Sequence, residues 1–269
     1  PHRLVCGDST SAEAWSARNL VATGAVSFAA TMGSTTLSDA VAGATGAPDS
    51  AAGNVDSQAA GERTFASSTQ AANGGGGSGA SSAPSASTSS GSVSVGAAVA
   101  VNIADASARA LVPAGVTVVT GGALSLTAAT TVDAKAKADG SAVGGGTANV
   151  GVGVAITLAN VLSEASIAGS VSAVGVTLSA TPSAEAPFAA EATSGAGGGS
   201  VGVAGALALV IANVETSALI EAGATLDAGV GDVTLTAESA ATSTVRAQPA
   251  QGGVTGTESV GIGASIAIG

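Results

Sequence analysis

The chain has 269 residues, enough for one or two ordinary domains or one elongated array. Gly supplies 40 residues, charged residues make up 9%, aromatics 1%, and Tyr is absent, so a core must be built from thin layers of Val, Ile, Leu and Ala. The formal net charge is −11, and the 7 bases (Arg3, Arg18, Arg63, Arg109, Lys135, Lys137 and Arg246) are scattered, which with so few aromatics excludes a phosphate-neutralising or base-stacking surface for nucleic acid.

Residues 1–72 are the least regular and read as an N-terminal cap or a degenerate repeat. Leu20, Val26, Phe28 and Met32 in NLVATGAVSFAATMG predict one alternating strand. The Gly, Pro and Asp of GATGAPDSAAGNVD then read as turns. Residues 73–91, NGGGGSGASSAPSASTSSG, form a Gly/Ser-rich loop or linker, expected to be mobile and dispensable because nothing in it is apolar and larger than Pro84.

From 92 to 269 the chain repeats one pattern. VSVGAAVAVNI, VGVGVAITL, VGVAGALALVI and VGIGASIAI start near 93, 150, 201 and 260, which are 57, 51 and 59 residues apart. In each segment every second residue is large and apolar, and its neighbours are small. That period of two is the pleat of a β-strand. Shorter strands follow at VTVVT (116–120), ALSLTA (123–128), VTLSA (176–180) and within ALIEAGATLDAGVGDVTLTA (218–237), separated by Gly and Pro. The fold class is therefore all-β, an elongated parallel β-helix (β-solenoid) of about 55-residue repeats, the last truncated. Large residues are expected to face inward: Val99, Val101, Ile156, Leu158, Leu207 and Leu209 are the predicted core. The uncharged stretches 141–163 and 193–214 are long enough for membrane helices, but their alternation and Gly content make them strands. A transmembrane barrel would need aromatic girdles that this composition does not supply.

No residue is assigned as catalytic, cofactor-binding or metal-ligating, and no cofactor is expected. His2 is the only histidine and Cys6 the only cysteine, so a Ser-His-Asp site and an intrachain disulfide are both excluded. Two G-x-G-x-x-G spacings, at Gly74 and Gly197, lack the strand-then-helix context of a dinucleotide site. Glu221, Asp227 and Asp232 sit near corners and read as solvated, not as a calcium site. Arg109 with Asp105, or Lys135 and Lys137 with Asp133 and Asp139, could be imagined as a polysaccharide-lyase cluster. Thr117, Thr120, Thr127, Thr177, Thr225, Thr234 and Thr236 give fragments of a threonine array without a regular T-x-T ladder.

The phrases SVSVGAAVAVNI, NVGVGVAITLANV, ALIEAGATLDAGVGDVTLTA and SVGIGASIAI resemble the repeats of bacterial β-solenoid surface adhesins and autotransporter passenger regions, broadly filamentous-haemagglutinin-like, over about residues 91–269. The resemblance implies a secreted protein at the bacterial cell surface, associated with the outer membrane. It implies a non-catalytic stalk or adhesive surface, not an enzyme. The expected partners are a host or neighbouring-cell surface or a glycan, together with self-association, and neither nucleic acid nor a membrane-spanning segment. The alternatives are an ice-binding or other crystal-surface-binding solenoid and a polysaccharide-degrading β-helix.

Overall fold

The computed structural model describes residues 2–45, 93–143, 147–182, 184–255 and 260–269. Of the turn segment expected at 43–56, residues 43–45 instead continue a strand, and the remainder, like the 73–91 segment, lies outside the described residues. Every regular element among the described residues is a strand. The chain first runs through β1 (His2–Trp15), β2 (Leu20–Ala22) and β3 (Val26–Thr45). It continues through β4 (Val93–Val112), β5 (Thr117–Thr120) and β6 (Leu124–Val143). Then come β7 (Ala148–Ile167), β8 (Ser170–Ser172), β9 (Val176–Ala180) and β10 (Ala186–Gly197). Next are β11 (Val201–Ile220), β12 (Thr225–Asp227), β13 (Val233–Ala237) and β14 (Ala241–Thr255), and last β15 (Val260–Ile268).

These strands form three sheets, here called front, side and back. The front sheet has the order β1-β4-β7-β11-β15 and the side sheet β12-β8-β5-β2. The back sheet has the order β13-β9-β6-β10-β14, with β3 also paired to β6. All pairings are parallel. The four apolar segments become neighbours in the front sheet, where Val95, Val150, Val203 and Ile262 fall in one column. Parallel pairing with matched register sets like side chains beside like, which is why similar segments suit it.

Residues 2–45 belong to the same three sheets. Where one strand was expected around residues 19–33, there are two, β2 and β3, with a bend at Thr23–Gly24 between them. The polar stretch 130–140 is also strand: Val132, Ala134, Ala136 and Ala138 are buried, and Asp133, Lys135, Lys137 and Asp139 alternate with them on the outer face. Two corners from front to side sheet are built alike. Val116 N–H donates to Pro113 O and Ala224 N–H to Glu221 O, both at 3.1 Å, with Gly115 and Gly223 at φ 79° and 88°. A side chain at that φ would be strained, hence glycine.

The expected core face is reversed. In β4 the fully buried positions are Ala98, Ala100, Asn102, Ala104, Ala106, Ala108, Ala110 and Val112. Val99 and Val101 point outward and are only half-buried, as are Ile156 and Leu158 in β7 and Leu207 and Leu209 in β11. The physical reason is the closeness of the facing sheet. A Cβ added to Gly96 would strike Ser141 O, one on Gly140 would strike Val152 O, and one on Gly151 would strike Gly195 O. Front and back backbones touch there, so only Gly, Ala and a few small polar residues fit between them.

The interior accordingly has two parts. Where front and back sheets meet directly, the core is mostly alanine, with Val132, Val161, Val210 and Phe188 as its larger members. Where the side sheet holds them apart, Leu124, Leu126, Ile167, Leu178, Val112, Val118 and Val176 fill a three-sided prism, each at most 1% exposed.

Candidate functional surface

Two inward polar residues staple the thin part together. Asn102 is fully buried, and its Nδ2 donates to Thr36 O and Lys135 O, both at 2.8 Å, on two strands of the back sheet. Thr157, in the register position beside Asn102, donates to Ala189 O at 2.6 Å. Both of these donors find carbonyls of the opposite sheet, whereas Asn102 Oδ1 is buried without a partner among the described residues. These bonds fix how the two sheets sit and so what each outer face presents.

The outer faces differ. On the front sheet, the columns Val99–Val154–Leu207–Ile266 and Val101–Ile156–Leu209–Ile268 run across β4, β7, β11 and β15. The apolar field ends abruptly at the column Asp105–Asn160–Asn213, where Asn213 Nδ2 donates to Asn160 Oδ1 at 3.2 Å. Beyond it Glu13, Arg109 and Glu164 form a column of alternating sign. Arg109 Nε lies 2.9 Å from Glu164 Oε2, and its Nη1 lies 4.0 Å from Glu13 Oε1. On the back sheet the register sets Asp39, Lys137, Glu191 and Arg246 side by side, again alternating.

A third surface carries hydroxyls. Register across β3, β6, β9 and β13 lines up Ser27, Ser125, Thr177 and Thr234, and two residues on Ala29, Thr127, Ser179 and Thr236. Adjacent members of a column are about 4.8 Å apart and the columns about 6.6 Å. Thr127, Thr177, Thr234 and Thr236 therefore join serines in a two-column hydroxyl ladder interrupted at Ala29, while Thr117, Thr120 and Thr225 lie in the side sheet. Aligning SLT, TLS and TLT at 125, 177 and 234 is the signal that reveals it.

The imagined lyase groupings are not assembled as drawn. Arg109 pairs with the two glutamates, not with Asp105. Lys135 Nζ binds Asp133 Oδ2 at 3.1 Å, and Asp139 Oδ1 accepts from Ser141 at 2.8 Å. Asp227 Oδ1 accepts from Gly229 N–H at 3.0 Å, shaping its own corner. Among the described residues no three His, Cys, Asp or Glu side chains gather closely enough to hold a metal, and no helix is long and apolar enough to cross a membrane. No protein-family model, curated protein or solved structure matches the chain.

Proposed function

We propose that this chain is a non-catalytic segment of a secreted bacterial surface protein, folded as a β-solenoid of about 55-residue coils and acting as a stalk or adhesive surface. One observation supports the proposal: four successive passes along the chain visit the front, side and back sheets in the same order, the third and fourth adding two strands each to the back, and β15 returns to the front, with every pairing parallel. Stacking of that kind extends by repetition and gives a stiff rod whose outer residues recur at fixed spacing. The polar columns of the back sheet and the alternating Glu13–Arg109–Glu164 column are the solvated flanks of such a rod. The partner is a host or neighbouring-cell surface, or a glycan, and the site of action is the bacterial exterior. The chain is also poor in several common acid-base and nucleophilic side chains, with one His, one Cys and no Tyr, although carboxylates and hydroxyls remain. The test is labelled chain applied to a glycan array and to intact cells, alongside incubation with pectin and alginate. Saturable retention without cleavage is the expected result. Cleavage lost on mutating Asp133 and Lys135 overturns it in favour of a lyase.

The hydroxyl ladder favours one second reading, a crystal-surface binder. A regularly spaced Ser/Thr array presents hydroxyls at repeated intervals. An ice-recrystallisation assay decides: inhibition lost with Thr177→Val and Thr234→Val supports it, and no inhibition by the parent chain removes it.

A further inference from the structure

The front and back sheets enclose a thin layer filled mostly by alanine, and its two outer faces are unlike. The back face carries the charged column through Lys137 and Glu191, whereas the front face carries Val, Ile and Leu. Val95 is 58% exposed, Val203 36%, Ile211 56% and Ile266 55%. Five register columns, from Val93 to Val101, cross β4, β7, β11 and β15 at this face, and a sixth, through Ile103, crosses the first three of them. At about 3.3 Å per residue and 4.8 Å per strand the field covers roughly 35 by 19 Å, on the order of 650 Å². Monomers rarely expose contiguous apolar patches beyond a few hundred Å². A stable two-fold pair needs about 800 Å² from each partner, close to what this face and its rim provide.

We propose that the apolar half of the front sheet is the interface of a homodimer, with two copies packed front to front and both charged back sheets outward. A sheet face that is apolar and uncharged matches another of its own kind, at the ordinary spacing of about 10 Å between packed sheets. The two-fold arrangement is isologous, so each copy brings the same columns. Electrostatics disfavour a lipid surface as the occupant. The net charge is −11, and the only base in the field's columns is Arg3, beside Val99 on the edge strand β1, too little to draw anionic headgroups. The chain's own residues 46–92 offer only Val55 and Phe65 as large apolar side chains, too few to cover the field. The dimer does not depend on the adhesive role: a stalk, a crystal binder or an enzyme would all need this face covered.

Sedimentation velocity of the full chain, over about a hundredfold range of concentration, reads the equilibrium directly. The parent should dimerise. The triple variant Val101→Thr, Ile156→Thr, Leu209→Thr keeps β-branched or strand-compatible side chains and should weaken dimerisation at least ~100-fold. The pair Leu37→Thr, Val41→Thr on the back sheet, where both are exposed, should leave it unchanged. Should the triple variant fail to fold, Ile156→Cys in a Cys6→Ser background provides the second reading. A short bismaleimide should link it as a dimer and leave Lys137→Cys in that background monomeric. A parent that is monomeric at every concentration overturns the proposal. So does a dimer insensitive to the triple variant, crosslinking through Lys137→Cys, or flotation of the chain with phosphatidylcholine–phosphatidylglycerol vesicles.

Discussion

The two halves of the interior solve one packing problem in opposite ways. In the prism, the side sheet props front and back apart, and Leu124, Leu126, Leu178 and Ile167 fill the gap. In the thin half no strand props them apart, the backbones meet at Gly140 and Gly151, and alanine is the common filler. Alanine and glycine bury little apolar area per residue, so the thin half gains less from transfer out of water. It relies instead on dispersion between close backbones and on staples such as Asn102. The large aliphatic residues of the thin half are displaced to the outside, where they shape the surface. Which side of a strand is core is thus set by the separation of the sheets, not by residue size.

That contrast can be broken at chosen points. The largest effect belongs to Gly140→Val. Its side chain would meet the carbonyl of Val152, a backbone atom that cannot rotate away. Ordinary overpacking costs about 1–3 kcal/mol; this substitution should exceed that range and abolish a cooperative denaturant transition. Next is Leu178→Ala in the prism, which should cost about 2–5 kcal/mol through lost burial and a cavity, read from the shift in denaturant midpoint. Asn102→Ala should cost about 1–3 kcal/mol in the same measurement, because two buried carbonyls lose their donor. The smallest effect is Leu207→Asp. An inward Leu207 would make it cost about 3–5 kcal/mol, the scale of an unpaired buried charge. As an outward, half-buried position it should cost the single protomer about 1 kcal/mol or less, as surface substitutions do, when measured in the Val101→Thr, Ile156→Thr, Leu209→Thr background so that loss of front-to-front pairing does not enter. A melting temperature for Leu207→Asp as low as that of Leu178→Ala would return the large residues to the interior.

Strand positions were legible in the sequence, and facing was not. The starts near 93, 201 and 260 coincide with β4, β11 and β15, and 150 lies two residues inside β7. Period two says that a strand has two faces but is silent on which is inside. The glycines at 96, 151 and 153 all lie on the small-residue face, and that shared parity was the available sign of a close backbone approach. Four strands, β1, β8, β10 and β14, were not read from the sequence. β10 and β14 are written mainly in Ala, Ser, Thr and Pro, with too little hydrophobic contrast to register as alternation. The hydroxyl ladder was hidden because serine and threonine share its columns, so a search for threonine alone finds only pieces. The Arg109 column was hidden because its partners, Glu13 and Glu164, are 96 and 55 residues away in sequence and meet only through register.

The alternating charges carry a consequence for assembly. Strands as similar as β4, β7 and β11 invite pairing in the wrong sequence, a characteristic failure of chains built from like units. Suppose one pass is skipped. Without β4, Glu13 would stand beside Glu164; without β6, Asp39 would stand beside Glu191; without β10, Lys137 would stand beside Arg246. Each omission sets like charges directly opposite one another, which is destabilising in a sheet. The columns therefore act as a parity check, through which a folding chain that has lost count of its own turns is penalised at the surface while its interior still fits.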